Sequence, residues 1–465
     1  MTKPEPIKTN TTRQAKQSAR KFKLPGQFKP DRAISDGPWS AYVTNALARQ
    51  SSLTIDDLTP TQKDIELISN LAFTRDDLAD NLATLIFENR QLAHQLEKGL
   101  AEGITSLENP PQALVDFLDY YENMPDWTYM KELQKRMETV EGKKFLNAER
   151  APAQKNAFMK ALEEGARLTA GFFVGAYYPA VGQSIVITGS VAKGSNRVIQ
   201  TFKFFDDTSD VRDFMPFGKA IQAGAKVRLG HAFARKQIER TGKWDKDYYG
   251  EIISNFDNML FASGIILGVN ATQSGYFKKY GVDPGKAMTY FLGAPEELLQ
   301  LDQEEIYRFF LMCVSHLDGS PDTAKQVYQS FRSNEHYKAE KSLEEKFYKE
   351  LTYFFANLMT RIIWGNRIAA EIGMEKYFYG LPLEPLADYL TEKVNARPSE
   401  SARVIINRTR KLIPPVKKIA KTGIPGILLR EKSGKRNQAL EPEPYSGSFG
   451  IFGGKNKQKK RDIHF

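Results

Sequence analysis

A chain of 465 residues with 41% hydrophobic and 26% charged side chains is long enough to bury a large core, and its composition excludes a fibrous or wholly disordered protein. The single cysteine, Cys313, excludes an internal disulfide framework and a multi-cysteine zinc site, and it fits a reducing compartment. The net charge of +10 resides at the two ends: eight Lys or Arg against one acid in residues 1–30, and sixteen against four in residues 403–465. The stretch between them is net acidic.

In chain order, residues 1–36 are rich in Lys, Thr and Pro with little apolar periodicity, and they read as a flexible basic lead-in. No apolar run follows the basic start, so no secretory signal is expected and the cytoplasm is the default location. From about residue 61 helical patterns dominate. Thr74-Arg-Asp-Asp77 reads as a capping box, and the apolar stripe that follows keeps helical spacing as far as Leu100. Asn109-Pro-Pro111 ends one helix and opens the next, ALVDFLDYYENM. Further helices are predicted at about 129–140, 155–178, 217–240, 250–268, 303–316 and 343–371. Residues 168–192 carry no charge and are long enough to span a bilayer, but their Gly and Pro breaks and polar residues suit buried helices better. The stretch 258–277 reads in the same way. After Arg403 the pattern degrades into Pro, Gly and Lys. The expected architecture is therefore all-α: one helical domain over 37–402, with basic tails at 1–36 and 403–465. Tails of this kind could make weak contact with a membrane surface. Lacking aromatic interleaving, they give no reason to expect specific nucleic-acid binding.

The usual catalytic signatures are absent. There is no GxxxxGK[ST], no GxGxxG after a strand, no HExxH and no GxSxG. Of the five histidines, His94 lies on an amphipathic helix, His336 in polar sequence, His464 in the tail, and His316 ends an apolar helix beside Cys313. Cys313 could serve as a thiolate ligand or be a small buried residue. His231 alone has cationic company: Arg228 stands three residues before it and Arg235 four after, so the three side chains share one stripe of a predicted helix. An iron porphyrin needs a neutral imidazole for its metal and cations for its propionates. A solvated basic helix face is the competing reading.

The order of RDDLADNL, MPDWTYM, ITG, RVIQT, KVRLGHAFAR, FASGIILG and FLGAPEELLQLD, from about 75 to 375, resembles the family of haem proteins that contains the latex-clearing rubber oxygenases and the membrane oxygenase of mycophenolic acid biosynthesis. Arg228, His231, Ala232 and Arg235 match that family's Arg-x-x-His-Ala-x-x-x-Arg helix position by position. The resemblance implies that His231 is the proximal ligand of a b-type haem buried between helices, with Arg228 and Arg235 serving the cofactor or its surroundings. It further implies that Arg197 and Thr201 act on the distal side, orienting dioxygen or substrate.

Two departures bear on the activity. Gln200 stands where rubber oxygenases have a lysine, so a lysine cannot close the sixth coordination position. No acid occurs between Glu164 and Asp206, where those enzymes carry a glutamate base, which removes the match to polyisoprene cleavage. Lys236 also replaces a histidine often found after the second motif arginine. The leading expectation is a haem b-dependent oxygenase acting with dioxygen on an apolar, isoprenoid or lipid-like substrate, with GFFVGAYY (171–178) lining the pocket or packing the core. A non-catalytic haem sensor or carrier on the same fold, and a cofactor-free helical interaction protein, are the alternatives.

Overall fold

The computed structural model describes residues 22–49, 52–122, 174–189, 217–272, 290–295, 297–333, 343–378 and 380–396, with a few isolated positions. Over these the fold is all-α. The longer helices are α1 (Ser40–Arg49), α2 (Gln62–Ala72), α3 (Asp77–Glu88), α4 (Gln91–Glu102), α5 (Gln112–Glu122), α6 (Pro179–Ile187), α7 (Lys219–Thr241), α8 (Asn255–Thr272), α9 (Gln303–His316), α10 (Pro321–Ser333), α11 (Leu343–Trp364), α12 (Asn366–Glu371) and α13 (Leu383–Ala396). Among the described residues the one sheet is a hairpin of two-residue strands, β1 (Tyr377–Phe378) and β2 (Leu381–Pro382), paired antiparallel. No helix of the described residues is long and apolar enough to cross a membrane.

Local chemistry explains most of the helix boundaries. Thr61 and Asp64 form a reciprocal capping box that opens α2, and Asp302 and Glu305 do the same for α9. Ahead of α3 the expected box at Thr74 is displaced by two residues: Asp76 is the cap, its carboxylate accepting from Ala79 N at 3.1 Å, while the Thr74 hydroxyl turns back to donate to Leu71 O. The apolar stripe expected to run unbroken to Leu100 is two helices. Asn89 adopts an extended backbone and its side chain accepts from Gln91 N, which restarts the chain as α4. In the same way the expected 343–371 helix divides at Gly365, whose φ of +97° is open to glycine, and where a Cβ would stand 2.7 Å from that of Ala41. The predicted helix at 129–140 and most of 155–173 lie outside the described residues. Residues 175–177 form a 3₁₀ turn in place of the expected end of an α-helix.

Three apolar clusters organise the packing. One is built from α3, α4, α5, the first half of α7 and Tyr290–Leu292. A second joins α1, α2, α6, α8, α9 and α10, and a third lies between α11, α13 and the hairpin. Cys313 is buried in the second cluster, and burial pushes its thiol well above the ordinary value, so the chain's one thiol is a core residue there. His316 is buried beside it, its Nδ1 2.8 Å from Met312 O and its ring against Phe28. The described part of the GFFVGAYY stretch also belongs to this core: Val174, Ala176, Tyr177 and Tyr178 are buried, the Tyr177 hydroxyl donating to Glu371 and that of Tyr178 to Asp257. Those four residues therefore pack the interior.

The lead-in expected to run to residue 36 is part of the fold from residue 22 onward. Gly26 and Gln27 donate backbone hydrogen bonds to Asp247 O and Tyr248 O, Lys29 N donates to His316 O, and Asp318 N donates to Gln27 O. Phe28 is 3% exposed, and Arg32 pairs with Asp318. Composition concealed this because the anchoring residues are few and lie between lysines and prolines, whereas the segment is held mainly through backbone groups that any residue offers. Deleting residues 1–21 removes none of these contacts. Deleting 1–30 strips out Phe28 and Gln27 and is expected to cost on the order of 4 kcal/mol. Urea midpoints of the two truncations, compared with the full chain, check this.

Where this segment meets α8, Gln27 donates to the Tyr178 hydroxyl at 3.2 Å and that hydroxyl donates to Asp257 Oδ1 at 2.5 Å. Asp257 also closes a buried box with Ser254, which sets the start of α8 at Asn255 rather than at 250. Burial pushes the Asp257 carboxyl up to about 6, against the pull of the Tyr178 and Ser254 hydrogen bonds. A folded-state value above the unfolded one means that the native protein binds the proton more tightly. The stability due to this group is then complete at acid pH and is lost as pH rises from about 4 through 6. The stability difference between the wild type and Asp257→Asn is expected to shift by about 2–3 kcal/mol over that window; parallel pH profiles would refute it.

Candidate functional site

α7 carries the stripe that drew attention in the sequence. From Ala220 to Ile238 none of its residues is fully exposed, although the helix contains Lys226, Arg228, His231, Arg235, Lys236 and Gln237; Arg228 and Arg235 are buried and His231 is half-buried. Charged groups in such surroundings need partners, because an uncompensated buried charge costs several kcal/mol. Gly224 permits the close packing of this helix: a Cβ there would stand 2.5 Å from Phe291 O.

The partners of the two arginines come from α3 and its cap. Arg228, 2% exposed, grips Asp76 with two donors, Nε to Oδ2 at 2.7 Å and Nη2 to Oδ1 at 2.8 Å, and its Nη1 donates to the Tyr121 hydroxyl at 3.1 Å. Its guanidinium lies over an aromatic wall from α5, with the carbon 4.1 Å from the ring centre of Tyr120 and 4.9 Å from that of Phe117. Tyr120 stacks on Tyr290, and the hydroxyls of Tyr120 and Tyr121 donate to Tyr290 O and Phe291 O. The turn then closes at Gly293, with φ +77°, where a Cβ would fall 2.9 Å from Arg228 Nε and 3.0 Å from Asp76 Oδ2. A side chain at position 293 would collide with the ion pair.

Arg235, 1% exposed, donates Nε to Asp80 Oδ1 at 2.8 Å and Nη2 to Asp76 O at 3.4 Å. Arg75 joins the group, its Nε 3.1 Å from Asp80 Oδ2 and its Nη1 paired with Glu239. Burial alone would raise the Asp76 carboxyl, but the Arg228 guanidinium outweighs it and holds it below the ordinary value. At Asp80 burial prevails over Arg235 and Arg75, and the carboxyl sits above that value. The physical difference is that Asp76 receives two aligned guanidinium donors and the Ala79 amide, whereas Asp80 receives one aligned donor. Among the described residues, Arg235 Nη1 is buried with no hydrogen-bond partner.

His231 lies between the two arginines on α7 and is half-buried. On an ideal helix its bearing falls within about 60° of Arg228 and 40° of Arg235. Beside it, a Cβ at Gly230 would meet nothing within 4 Å, so this flank of α7 has room. The structure therefore brings together Arg228, His231 and Arg235 as the spacing predicted, with both arginines engaged by aspartates. Arg197, Gln200 and Thr201 lie outside the described residues. His94 is an exposed surface residue, 4.0 Å from Glu97. No group of three or more His, Cys, Asp or Glu among the described residues could hold a metal ion; a single axial histidine does not require one.

Sequence reasoning missed Asp76, Asp80, Tyr121 and Gly293. The only signal was conditional: once α7 is known to be interior its two arginines require acids from a neighbour, and the pair Asp76 and Asp80 at one helix start is then a candidate. Three of the segments that carry the resemblance, RDDLADNL, KVRLGHAFAR and FLGAPEELLQLD, meet at this point. Comparison of the chain with protein-family models, with curated proteins and with solved structures finds no match.

Proposed function

We propose that this chain is a haem b protein of the oxygenase type, with His231 as the axial ligand of the iron, acting with dioxygen on an apolar substrate of isoprenoid or lipid-like character. The observation that carries the reading is the pairing of a half-buried histidine with Arg235, one turn away, whose buried Nη1 has no acceptor among the described residues. A propionate carboxylate is the kind of group that would satisfy it. The open flank at Gly230 fits the same reading. Bound haem would supply dioxygen binding and its reductive activation, chemistry that no protein side chain provides.

The chain's own residues do the rest. His231 would present its imidazole from a helix that cannot turn freely, because Arg228 is tied to Asp76 and Tyr121. Arg228 is an anchor in this reading rather than a cofactor contact, since all three of its nitrogens are engaged. Arg235 holds Asp80 through Nε, and its Nη1 would be the donor to a propionate. Burial of Arg228 and Arg235 lowers the local dielectric and strengthens the ion pairs that hold α7. Arg197 and Thr201 remain the proposed distal residues, on the strength of the resemblance alone.

The test is an absorption spectrum of protein expressed with ample haem supply, oxidised and dithionite-reduced. A Soret band with reduced α and β bands, followed by substrate-dependent oxygen consumption with an apolar compound, supports the reading. A Soret band without turnover on any apolar class selects the haem carrier or sensor favoured by Gln200 and by the absence of acids from 165 to 205. Absence of the band overturns the haem assignment.

A further inference from the structure

Three segments distant in sequence converge on α7 at the two positions that flank His231, and that convergence does more than satisfy charge. Asp76 and Asp80 are one turn apart at the start of α3; Arg228 and Arg235 are two turns apart on α7, about 10 Å along its axis. Arg228 reaches both oxygens of Asp76, while Arg235 takes one oxygen of Asp80 and the carbonyl of Asp76. A single ion pair leaves a helix free to turn about the contact. Two pairs on either side of one residue hold both its rotation and its position along the axis. A two-point carboxylate–guanidinium grip is also directional, because the fork of the guanidinium must lie in the plane of the acid.

The surroundings leave the clamp little slack. Asp76 is committed a second time as the cap of α3, so its carboxylate cannot swing without uncapping Ala79 N. Tyr121 holds the far side of the Arg228 guanidinium, and Gly293 brings the 290–293 turn against the pair from the outside. Arg75 links α3 to the end of α7 through Glu239.

We infer that Asp76 and Asp80 are positioning residues for His231: through Arg228 and Arg235 they set the rotation and register of α7, and so the bearing at which the imidazole is presented. The inference rests on the reading of His231 as the functional residue of this site. Its content is separable from haem, since the bearing of His231 is a property of the chain without cofactor.

The experiment uses the full chain, labelled at histidine, and reads the imidazole ring resonances by two-dimensional NMR. There are five histidines, so His231→Ala assigns the signal. Asp76→Asn keeps the shape of the cap but loses the charge that holds Arg228. It is expected to move or broaden the His231 resonance while those of His94 and His316 stay in place, and Asp76→Glu is expected to restore it in part. Asp80→Asn is expected to give the smaller displacement. Asp64→Asn serves as the control: it breaks the ion pair of α2 with Arg308, at 2.7 Å, and so weakens the fold without touching the clamp. A His231 signal unchanged in folded Asp76→Asn, or moved as far by Asp64→Asn, overturns the inference. Haem titration of the same proteins separates the two readings. Under the inference Asp76→Asn lowers haem affinity at least tenfold. If the wild type takes up no haem while its His231 signal still follows Asp76, the positioning stands and the haem assignment falls.

Discussion

His231→Ala is expected to lower haem affinity by at least about 100-fold, because removal of an axial ligand exceeds the 10- to 100-fold losses typical of residues that merely support one. The fold should survive. His231 is half-buried rather than sealed in the core, alanine is the best helix former, and the interactions that hold α7 run through Arg228 and Arg235 on either side. The urea midpoint is expected to stay within about 1 kcal/mol of the wild type in stability terms. Loss of the Soret band in a variant that keeps its helical circular dichroism is the expected pair of results. Full haem loading in His231→Ala removes it as the ligand, whatever happens to stability.

Arg228→Ala is expected to be among the most damaging single substitutions in the chain, costing about 3–5 kcal/mol. It leaves the Asp76 carboxylate buried without its partner, removes the cation from the Tyr120 and Phe117 faces, and opens a cavity beneath Gly293. Arg308→Ala provides the contrast. Its pair with Asp64 has the same length, 2.7 Å, but the Arg308 side chain is 27% exposed against 3% for Arg228, so water can take over and the loss should be about 1–2 kcal/mol. Because the guanidinium holds the Asp76 carboxyl below its ordinary value, the contribution of the pair is complete above about pH 4 and is lost as pH falls below that. Replacing both members, as Asp76→Asn with Arg228→Met, should recover more than half of the loss by removing the isolated charge. Equal damage from Arg228→Ala and Arg308→Ala in urea titrations would show that burial does not set the worth of these pairs.

The clamp also shows how far the site could be read in advance. The Arg228, His231 and Arg235 stripe follows from spacing alone, since a 3.6-residue period leaves no other arrangement once the segment is helical. That both arginines face aspartates was not legible there, because Asp76 and Asp80 lie about 150 residues upstream and serve equally well as ordinary helix-start acids. The same ambiguity misplaced the cap of α3. Thr74 is a sound cap by type, but Asp76 accepts from Ala79 N and from Arg228 at once, and the second of these is a tertiary contact. At Phe28 the difficulty was reversed: one aromatic between lysines and prolines gives no periodic signal, and only its pairing with Leu317 and the packing of its ring on His316 make it a core residue.

By itself the sequence determined that the chain is helical, where α5, α7 and α9 run to within about two residues, which helix carries the histidine, and that the one cysteine has no disulfide partner within the chain. These are local matters, decided by period, caps and breakers over a few residues. Tertiary structure decided that the basic stripe of α7 is interior rather than solvated, that its charges are neutralised from α3, and that residues 22–36 belong to the fold. Burial depends on what arrives from elsewhere in the chain, and a charged helix face reads the same in sequence whether water or a carboxylate stands opposite it.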